Sequence, residues 1–312
     1  MSVSTRVNGV MRSGILHAAD SSRVQRFMSK HGMRLGASRF VAGETLDACI
    51  ETLRRLTAQG LHANTTLLGE SVNNEAEAGA VVASYQTILE RIAAERLPVN
   101  VALKLTHLGL ALDEELAFAN VTRVVEKAAE LGNFIRLDME QSSFVDVTLR
   151  TYRRLREAGH DNVGTVLQSY LYRTEPDLAA LLPLRPNLRF VKGAYLEPPE
   201  LAYPAKTDVD AAYLRLVETS LEGDGYTAVA TQDEAIIAKV IAFTERDGIG
   251  RDRFEFQMLY GVRPGLQLEL VKRGYKVLVA TPYGPEWYPY LMRRLAERPA
   301  NLGFFAKNLV RR

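Results

Sequence analysis

The chain has 312 residues, of which 47% are hydrophobic and 24% are charged, and its formal net charge at pH 7 is +2. This composition provides ample material for a globular core, and the nearly balanced charge gives no reason to expect nucleic acid as a partner. Because Cys49 is the only cysteine, disulfides within the chain and metal sites made of several cysteines are excluded, and we expect no metal centre.

The first 62 residues are predicted to be helical and to precede the first strand. Their basic side chains are Arg6, Arg12, Arg23, Arg26, Lys30, Arg34 and Arg39. We expect this segment to pack against the domain that follows, with contact between a basic face and anionic lipid as the alternative. No stretch reaches the roughly 20 apolar residues of a membrane span. We therefore expect a cytoplasmic protein, and peripheral attachment at the inner face of the membrane stays open.

Short β-branched runs alternate with longer amphipathic runs through the rest of the chain. The strand candidates are NTTLLGE (64–70), VNVALKL (99–105), NFIRLDM (133–139), VGTVLQSY (163–170), LRFVKGAY (188–195), YTAVAT (226–231), FEFQML (254–259) and KVLVAT (276–281). Several are apolar on both faces, as strands of a parallel sheet covered by helices are. The clearest helical patterns between them are residues 75–95, 113–132, 209–223 and 233–248.

Eight strand–helix units in succession predict an α/β fold of the closed (β/α)₈ TIM barrel class, which occupies residues 63–312 as one domain. An open, doubly wound sheet is the structural alternative. The number of units counts against an open sheet, and so does the lack of a G-x-G-x-x-G motif after the first strand. The sequence therefore favours a helical segment at residues 1–62 followed by the barrel.

Polar side chains gather where the predicted strands end, which is where barrels of this class carry their chemistry. These residues are Glu70, Lys104, Asp138, Gln168, Lys192, Tyr195, Thr231, Gln232, Asp233 and Gln257. Arg189 lies within the fifth strand and shares a face with Val191 and Gly193. Each has an ordinary structural explanation, such as an ion pair between Lys104 and Asp138. Their convergence nevertheless predicts a site at this rim.

Two adjacent arginines, Arg293 and Arg294, lie in YPYLMRRLAERP (288–299), which has the pattern of a helix. Neighbouring helical positions point about 100° apart, so one solvent-facing side does not explain both. A surface pair is the alternative explanation. Together with Lys104, Arg189 and Lys192 they are expected to surround one mouth, against Asp138 and Glu70, and such a positive mouth suits an anion. Arginine forks match carboxylate or phosphate, and the glycine-poor last loop favours carboxylate.

Several segments resemble the proline dehydrogenase family. They are RFVKGAYLEPPELAYP, FEFQMLYG, YPYLMRRLAERP, RLDME (136–140), VGTVLQSYLYR (163–173) and ATQDE (230–234), in the family's order. The resemblance extends over all eight units. It implies a distorted barrel whose last helix is displaced over the mouth, with FAD bound noncovalently at the strand ends. It also implies oxidation of L-proline to Δ¹-pyrroline-5-carboxylate, with electrons passing to a membrane quinone.

The resemblance assigns substrate roles to five residues. Arg293 and Arg294 clamp the proline carboxylate, and Lys104 adds a third positive contact. Tyr195 packs against the substrate ring. Asp138 lies at the substrate site, pairs with Lys104 and helps to remove the proton of the amine. In this arrangement the protein acts chiefly by orienting the substrate.

The resemblance also assigns cofactor roles. Arg189 matches an arginine near the flavin N5, where a cation stabilises the negative charge of the reduced ring. The positions that match FAD-contacting residues are Met139, Gln168, Lys192, Gly193, Ala194, Thr231, Gln232, Gln257 and Glu297. Gly193 suits such a place because it has no side chain to obstruct the cofactor. Glu70 matches a gate that pairs with Arg293 when no substrate is bound.

Two positions depart from the family pattern. Gln232 stands where many members have histidine, so it keeps hydrogen bonding to the flavin but carries no charge, and we expect the flavin potential to change. Ala280 stands where many members have a tyrosine that packs against the substrate ring. The space that alanine leaves favours a pocket that admits a hydroxylated ring, unless Tyr283 fills the gap.

Other functions remain alternatives. The same site would serve a 4-hydroxyproline dehydrogenase. Lys192, inside a predicted barrel strand, is where an aldolase places a Schiff-base lysine, so a lyase is a third interpretation. A barrel without catalysis that binds a partner is the fourth. The remaining length holds no second dehydrogenase domain, so the next catabolic step is expected to need a separate pyrroline-5-carboxylate dehydrogenase.

Overall fold

Eight parallel strands close into a barrel in sequence order, and the eighth pairs with the first. The computed structural model describes residues 32–33, 36–69 and 71–297, the last three of these for their backbone alone. The strands are β1 (His62–Leu67), β2 (Val99–Leu103), β3 (Ile135–Leu137), β4 (Val163–Gln168), β5 (Asn187–Val191), β6 (Tyr226–Ala230), β7 (Phe254–Leu259) and β8 (Val277–Tyr283). The expected (β/α)₈ barrel is confirmed, and the open sheet was the wrong alternative.

Helices alternate with the strands. Those in the described part of the chain are α1 (Leu46–Ala58), α2 (Glu75–Ala94), α3 (Glu114–Glu130), α4 (Val145–Glu157), α5 (Thr174–Leu181), α6 (Lys206–Glu222), α7 (Glu234–Arg246), α8 (Pro264–Lys272) and α9 (Trp287–Glu297). Several begin at a polar cap. The side chain of Asn74 accepts from the amide of Glu77 at 2.9 Å, and that of Asp113 accepts from the amide of Leu116 at 2.8 Å.

The main core lies between the barrel wall and the surrounding helices. All six residues of β4 are buried, as expected for a strand that is covered on both faces. Tyr85 and Ile88 of α2 pack in the same apolar cluster as Val101 and Leu103 of β2. Burial of these side chains on the outer face leaves the inner face of each strand free to carry polar groups into the barrel.

A buried arginine fills part of the barrel interior. Arg136 on β3 is only 2% exposed, and its Nη1 donates to the carbonyl oxygens of Asn187 at 2.7 Å and Thr165 at 3.0 Å. Burial lowers the pKa of Arg136 to about 9, so this guanidinium stays protonated at neutral pH. A Cβ at Gly164 would lie 2.5 Å from the Arg136 Nη1, so glycine is required beside it.

The last helix, α9, is held by residues that precede the barrel. Trp287 is 1% exposed and donates through Nε1 to Glu44 at 2.7 Å. The amide of Ala42 donates to the carbonyl of Pro282 at 2.8 Å, and that of Gly284 donates to the carbonyl of Gly43 at 3.0 Å. A second apolar cluster fills the junction, and its members are Ala37, Phe40, Val41, Leu68, Trp287, Tyr288, Leu291 and Met292.

The part of the N-terminal segment that the structure describes includes α1, whose buried Cys49, Ile50 and Leu53 belong to the main core. Most of the basic residues of that segment lie outside the described residues, and so the lipid-facing alternative stays a prediction. The division of the chain at residue 62 stays a prediction as well. Among the described residues, no helix has the length and apolar character that crossing a bilayer requires.

Candidate active site

A single cavity at the carboxyl ends of the strands brings the predicted residues together. It has a volume of about 840 Å³. The sequence-predicted residues that line it are Lys104, Asp138, Met139, Gln168, Arg189, Lys192, Gly193, Ala194, Tyr195, Thr231, Gln232, Gln257, Arg293 and Arg294. Glu70 and the side chain of Glu297 lie outside the described residues, so their roles stay predictions.

Arg189 forms the centre of the polar network at the base of this cavity. Its Nε donates to Gln257 Oε1 at 2.5 Å, its Nη1 to Asp138 Oδ1 at 2.7 Å and its Nη2 to Asn64 Oδ1 at 3.1 Å. The side chain of Arg189 is 10% exposed and that of Asp138 is 25% exposed. Three acceptors on three different strands or loops therefore fix the plane of this guanidinium.

The ion pair of Asp138 differs from the one expected from the sequence. Asp138 pairs with Arg189, which lies two strands away in the barrel order, rather than with Lys104 as the sequence analysis expected. The physical reason is that Arg189 points inward from β5 and reaches across the barrel mouth, where its fork meets the carboxylate directly. Lys104 lines the same cavity.

The charges around the cavity are mainly positive. Lys104, Arg189, Arg293 and Arg294 line it, and Asp138 offsets one of these charges. Both arginines of α9 are half-buried, so the surface-pair alternative for them is wrong. Cations in a low-dielectric cleft attract an anion, and two guanidinium forks match a carboxylate.

Gln168 leaves a buried acceptor at the cavity wall. Its Nε2 donates to the carbonyl of Glu140 at 3.2 Å, and the residue is 3% exposed. Its Oε1 is buried and has no hydrogen-bond partner among the residues that the structure describes. Because a buried acceptor without a partner is costly, this oxygen is suited to a donor on a bound molecule. The Glu140 side chain is itself buried, which raises its pKa, although Thr106 donates to it.

The backbone at Gly193 requires glycine for a reason that the sequence did not reveal. Its φ is +115°, and a Cβ there would lie 2.3 Å from the Tyr170 ring. From the sequence, this glycine was expected only for the close approach of a cofactor. The structure adds that the fold itself excludes any side chain here, since both the backbone conformation and the Tyr170 ring oppose it.

Lys192 lies one residue beyond β5 and is held by two carboxylates. Its Nζ lies 2.5 Å from Asp210 Oδ1 and 3.3 Å from Asp233 Oδ2, and Lys206 contacts the same two acids. Burial opposes the charge of Asp210, but the two ammonium groups outweigh it and hold its pKa below the usual value. The sequence analysis placed Lys192 inside a strand. Its actual place among acids resembles an anchored cation more than the apolar pocket that activates a Schiff-base lysine.

Several residues of the site were not identified from the sequence. Phe40 lines the cavity although it precedes the barrel. No local sequence pattern predicts a contact between residues so far apart in the chain. Asn64 lines it from β1 and binds Arg189, and its alternation with Thr66 along a strand was an available signal. Lys206 and Arg263 also line the cavity.

The position of Tyr283 answers the question raised by Ala280. Ala280 lines the cavity, whereas Tyr283 is 4% exposed within the main apolar core and is not among the lining residues. Burial raises the pKa of Tyr283, and the nearby Cys49 of α1 acts in the same direction. The Tyr283 ring therefore does not fill the space beside Ala280.

Comparisons with known proteins show the family to which the chain belongs. The family model described as proline dehydrogenase matches residues 49–307. The chain is similar to the proline dehydrogenase of Deinococcus radiodurans, at 43% identity over 98% of this chain and 99% of that one. It is similar to proline dehydrogenase 1 of Bacillus subtilis, at 40% identity over 97% of this chain and 100% of that one.

A solved structure shares the fold. It is proline utilization A (PutA) from Bdellovibrio bacteriovorus inactivated by N-propargylglycine, with a TM-score of 0.78 and 26% identity. The alignment covers 84% of this chain and 32% of that longer one, so this chain spans about a third of it. Both sequence and fold lead to one assignment. The chain belongs to the proline dehydrogenase family.

Proposed function

We propose that this protein oxidises L-proline to Δ¹-pyrroline-5-carboxylate, with FAD as a noncovalent cofactor and a membrane quinone as the final electron acceptor. The observation that carries the proposal is the joint placement of Lys104, Arg189, Arg293 and Arg294 on one cavity at the strand ends. Such a cavity binds a small carboxylate, and the membership of the chain in this family identifies the carboxylate as proline.

The cavity fits FAD by its own chemistry. The buried Oε1 of Gln168 is suited to accept a hydrogen bond from the cofactor. Gly193 and Ala194 leave room for the cofactor beside the backbone, because their side chains are absent or small. Lys192, held between Asp210 and Asp233, supplies a cation for the cofactor, and Thr231 and Gln232 supply hydrogen-bonding groups. The polar groups predicted from the family line the wall together. When bound, FAD supplies the two-electron acceptor of the reaction.

The residues of α9 and β2 orient the substrate in this proposal. Arg293 and Arg294 hold the two carboxylate oxygens, and Lys104 adds a third positive contact to the same group. Tyr195 packs against the ring. A carboxylate held at several points leaves the ring carbon that loses hydride in one position, and orientation of this kind accelerates a reaction without new chemistry. Phe40 and Tyr290 add aromatic surface to the same cavity.

In this proposal Asp138 accepts the proton that the substrate nitrogen loses. Oxidation removes a hydride from the ring carbon next to nitrogen and a proton from the nitrogen itself. Asp138 is ion-paired with Arg189 at 2.7 Å, which holds the carboxylate at the cavity, where it is placed to accept this proton. Arg189, at the base of the cavity, places a fixed positive charge where negative charge accumulates on the reduced cofactor.

A second candidate substrate is 4-hydroxyproline. Ala280 lines the cavity and Tyr283 is turned into the core, so space for an added hydroxyl group remains. Steady-state kinetics with both substrates distinguishes them. A preference for 4-hydroxyproline in kcat/KM would support the space argument, and a large preference for proline would reject it.

The visible spectrum of the purified protein tests the main proposal. We expect flavin absorption bands that bleach when proline is added under exclusion of oxygen and return with a soluble quinone. A colourless protein that takes up no added FAD would contradict the proposal and favour a binding protein. Borohydride trapping at Lys192 would instead support the lyase alternative.

The surroundings of the reaction are part of the same proposal. Glu70 gates the cavity through Arg293, and Glu297 contacts the far part of FAD. A separate pyrroline-5-carboxylate dehydrogenase consumes the product. The protein works in the cytoplasm and touches the inner face of the membrane to deliver electrons. Sedimentation with quinone-containing vesicles tests the last point, and binding to neither neutral nor anionic vesicles would contradict it.

A further inference from the structure

We propose that Glu255, below the cavity, is a positioning residue that fixes the amide of Gln257 and through it the guanidinium of Arg189. Glu255 is 3% exposed and is not among the residues that line the cavity. It lies on β7 two residues before Gln257, so both side chains point into the barrel. The inference rests on the proposed function, since Arg189 matters there for the charge of the cofactor.

The contacts form a directed chain of hydrogen bonds. Gln257 donates through Nε2 to Glu255 Oε1 at 2.5 Å, and its Oε1 accepts from Arg189 Nε at 2.5 Å. A glutamine side chain has one donor end and one acceptor end, whereas an ionised carboxylate only accepts. Glu255 therefore forces the donor end of Gln257 downward. A reversed amide would place its NH₂ against the Arg189 N–H and make two donors face each other.

The charge of Glu255 is maintained by groups from several parts of the barrel. Lys276 Nζ lies 2.9 Å from its Oε2, and the Tyr226 hydroxyl donates to the same oxygen at 3.1 Å. Burial opposes the ionised form, but Lys276, Gln257 and Arg136 together outweigh it and lower the pKa of Glu255. The carboxylate is therefore an acceptor throughout the neutral range.

The opposite side of Arg189 is oriented in the same way by a neutral group. Asn64 accepts from Arg189 Nη2 at 3.1 Å and donates through Nδ2 to Asn100 Oδ1 at 2.6 Å. Asn100 is itself an amide and is able to turn, so it sets the direction of its neighbour less firmly than a carboxylate does. Glu255 directs the amide of Gln257, and Asn100 directs the amide of Asn64. Of these two, only the carboxylate of Glu255 has no donor, so it permits a single orientation of the amide that it contacts.

The test compares flavin reduction potentials in variants of the holoenzyme. Glu255→Met removes the acceptor below Gln257, and Glu255→Gln removes the charge at nearly equal volume. We expect the preference of the protein for reduced over oxidised flavin to fall about tenfold in Glu255→Met, which for a two-electron couple is about 30 mV. Glu255→Gln, the variant more certain to fold, is expected to shift the potential in the same direction by a smaller amount.

Tyr226→Phe is the matched control, because it removes a different hydrogen bond from the same carboxylate and leaves the one to Gln257. We expect the ratio of its affinities for reduced and oxidised flavin to stay within about threefold of the parent's ratio, although its melting temperature falls. Equal potentials in the parent and in a Glu255 variant that binds flavin would overturn the inference. An equal shift in Tyr226→Phe would overturn it too, because general destabilisation would then explain the effect.

The parent protein separates this inference from the proposed function. If the parent binds no flavin, or if its flavin is not bleached by proline, the proposed function fails and the inference fails with it. If the parent behaves as proposed and only the Glu255 comparison fails, the function stands and the positioning role is wrong. Potentials are measured by dye equilibration, which needs no turnover.

Discussion

At the scale of single residues, Arg189 illustrates what a sequence predicts and what it does not. Strand alternation predicted that Arg189 shares a face with Val191 and Gly193, and all three line the cavity. Its partners do not follow, because Asn64, Asp138 and Gln257 come from separate parts of the chain. The partner of an arginine depends on the register of the barrel strands and on the reach of the side chains. Neither can be read from the order of residues in the sequence.

The paired arginines of α9 give the most direct test of substrate binding. Arg293→Lys and Arg294→Lys keep the charge but remove the planar fork that matches a carboxylate. We expect KM for proline to rise about tenfold or more in each variant, which corresponds to roughly 1.4 kcal/mol of binding. The flavin content is expected to stay unchanged, and an unchanged KM in both variants would contradict the clamp.

Gly193 gives a test of backbone strain at the cavity wall. Gly193→Ala places a Cβ 2.3 Å from the Tyr170 ring at a φ of +115°, so we expect unfolding to become easier by about 1–3 kcal/mol. Gly79→Ala is the matched control, because Gly79 lies in the interior of α2 with no atom near its Cβ position. That variant should gain about 0.5–1 kcal/mol. Thermal denaturation of the two proteins decides, and equal stability would contradict the clash.

The single cysteine permits a clean chemical measurement. Burial raises the pKa of Cys49 to about 11, although the hydroxyl of Thr65 partly opposes this. We expect no reaction with a thiol reagent in the folded protein up to pH 9 and complete reaction after unfolding, because only the thiolate reacts.

The same shift sets a dependence of stability on pH. Between the unfolded value near 9 and the folded value near 11, only the unfolded chain ionises its thiol. The contribution of Cys49 to stability is therefore fully present below pH 9 and declines as the pH rises toward 11. Cys49→Ala should lack this decline, and identical pH profiles for the two proteins would contradict the shift.

At the scale of elements, the sequence located the strands and helices well but not their contacts. Periodicity placed α2, α3, α6 and α7 within three residues of their observed ends. The strands were recognisable in the sequence because they are apolar runs, and they are apolar because both of their faces are buried. The first five strands end two to four residues earlier than expected, at Leu67, Leu103, Leu137, Gln168 and Val191, because strand pairing stops where the chain turns into the loops at the cavity.

The anchoring of α9 is an element-scale feature with a measurable effect. Trp287→Phe keeps the buried ring but removes the hydrogen bond to Glu44, and Glu44→Leu removes the same bond from the other side. We expect KM for proline to rise about fivefold in each, since roughly 1 kcal/mol of positioning is lost. In the double variant the effects should not add, because both changes delete one bond.

Glu44→Gln provides the control for this pair. It keeps an oxygen that accepts from Trp287, so its KM should stay close to that of the parent. Additive effects in the double variant, or an equal loss in Glu44→Gln, would contradict the anchoring role. Flavin content in all variants is measured alongside, so that loss of cofactor is not mistaken for loss of substrate binding.

At the scale of the whole molecule, the barrel architecture explains why the site was predictable in outline. Parallel strands deliver their carboxyl ends to one rim, so residues far apart in sequence were expected to meet there. Phe40 escaped this reasoning because it reaches the cavity from outside the barrel. Glu255 was not predicted because it lies deeper than the rim, and no pattern in the sequence distinguishes it from the core residues around it.

Removal of the cofactor should change the stability of the whole barrel. A ligand that binds only the folded protein stabilises it by about 2.7 kcal/mol at a hundredfold excess over its dissociation constant. We therefore expect the melting temperature of flavin-free protein to rise when FAD is added, and riboflavin to have a smaller effect because it lacks the diphosphate. Identical melting curves with and without FAD would contradict binding at this cavity.

The link between residues 42–44 and the last helix also has a consequence for biosynthesis. Glu44 meets Trp287 across 243 positions of the chain. At a translation rate of roughly 5–20 residues per second, Glu44 waits about 12 to 50 seconds for its partner to be made. During that interval the nascent chain lacks α9, so a chain truncated before this helix would contain all eight strands without Arg293 and Arg294 at the cavity.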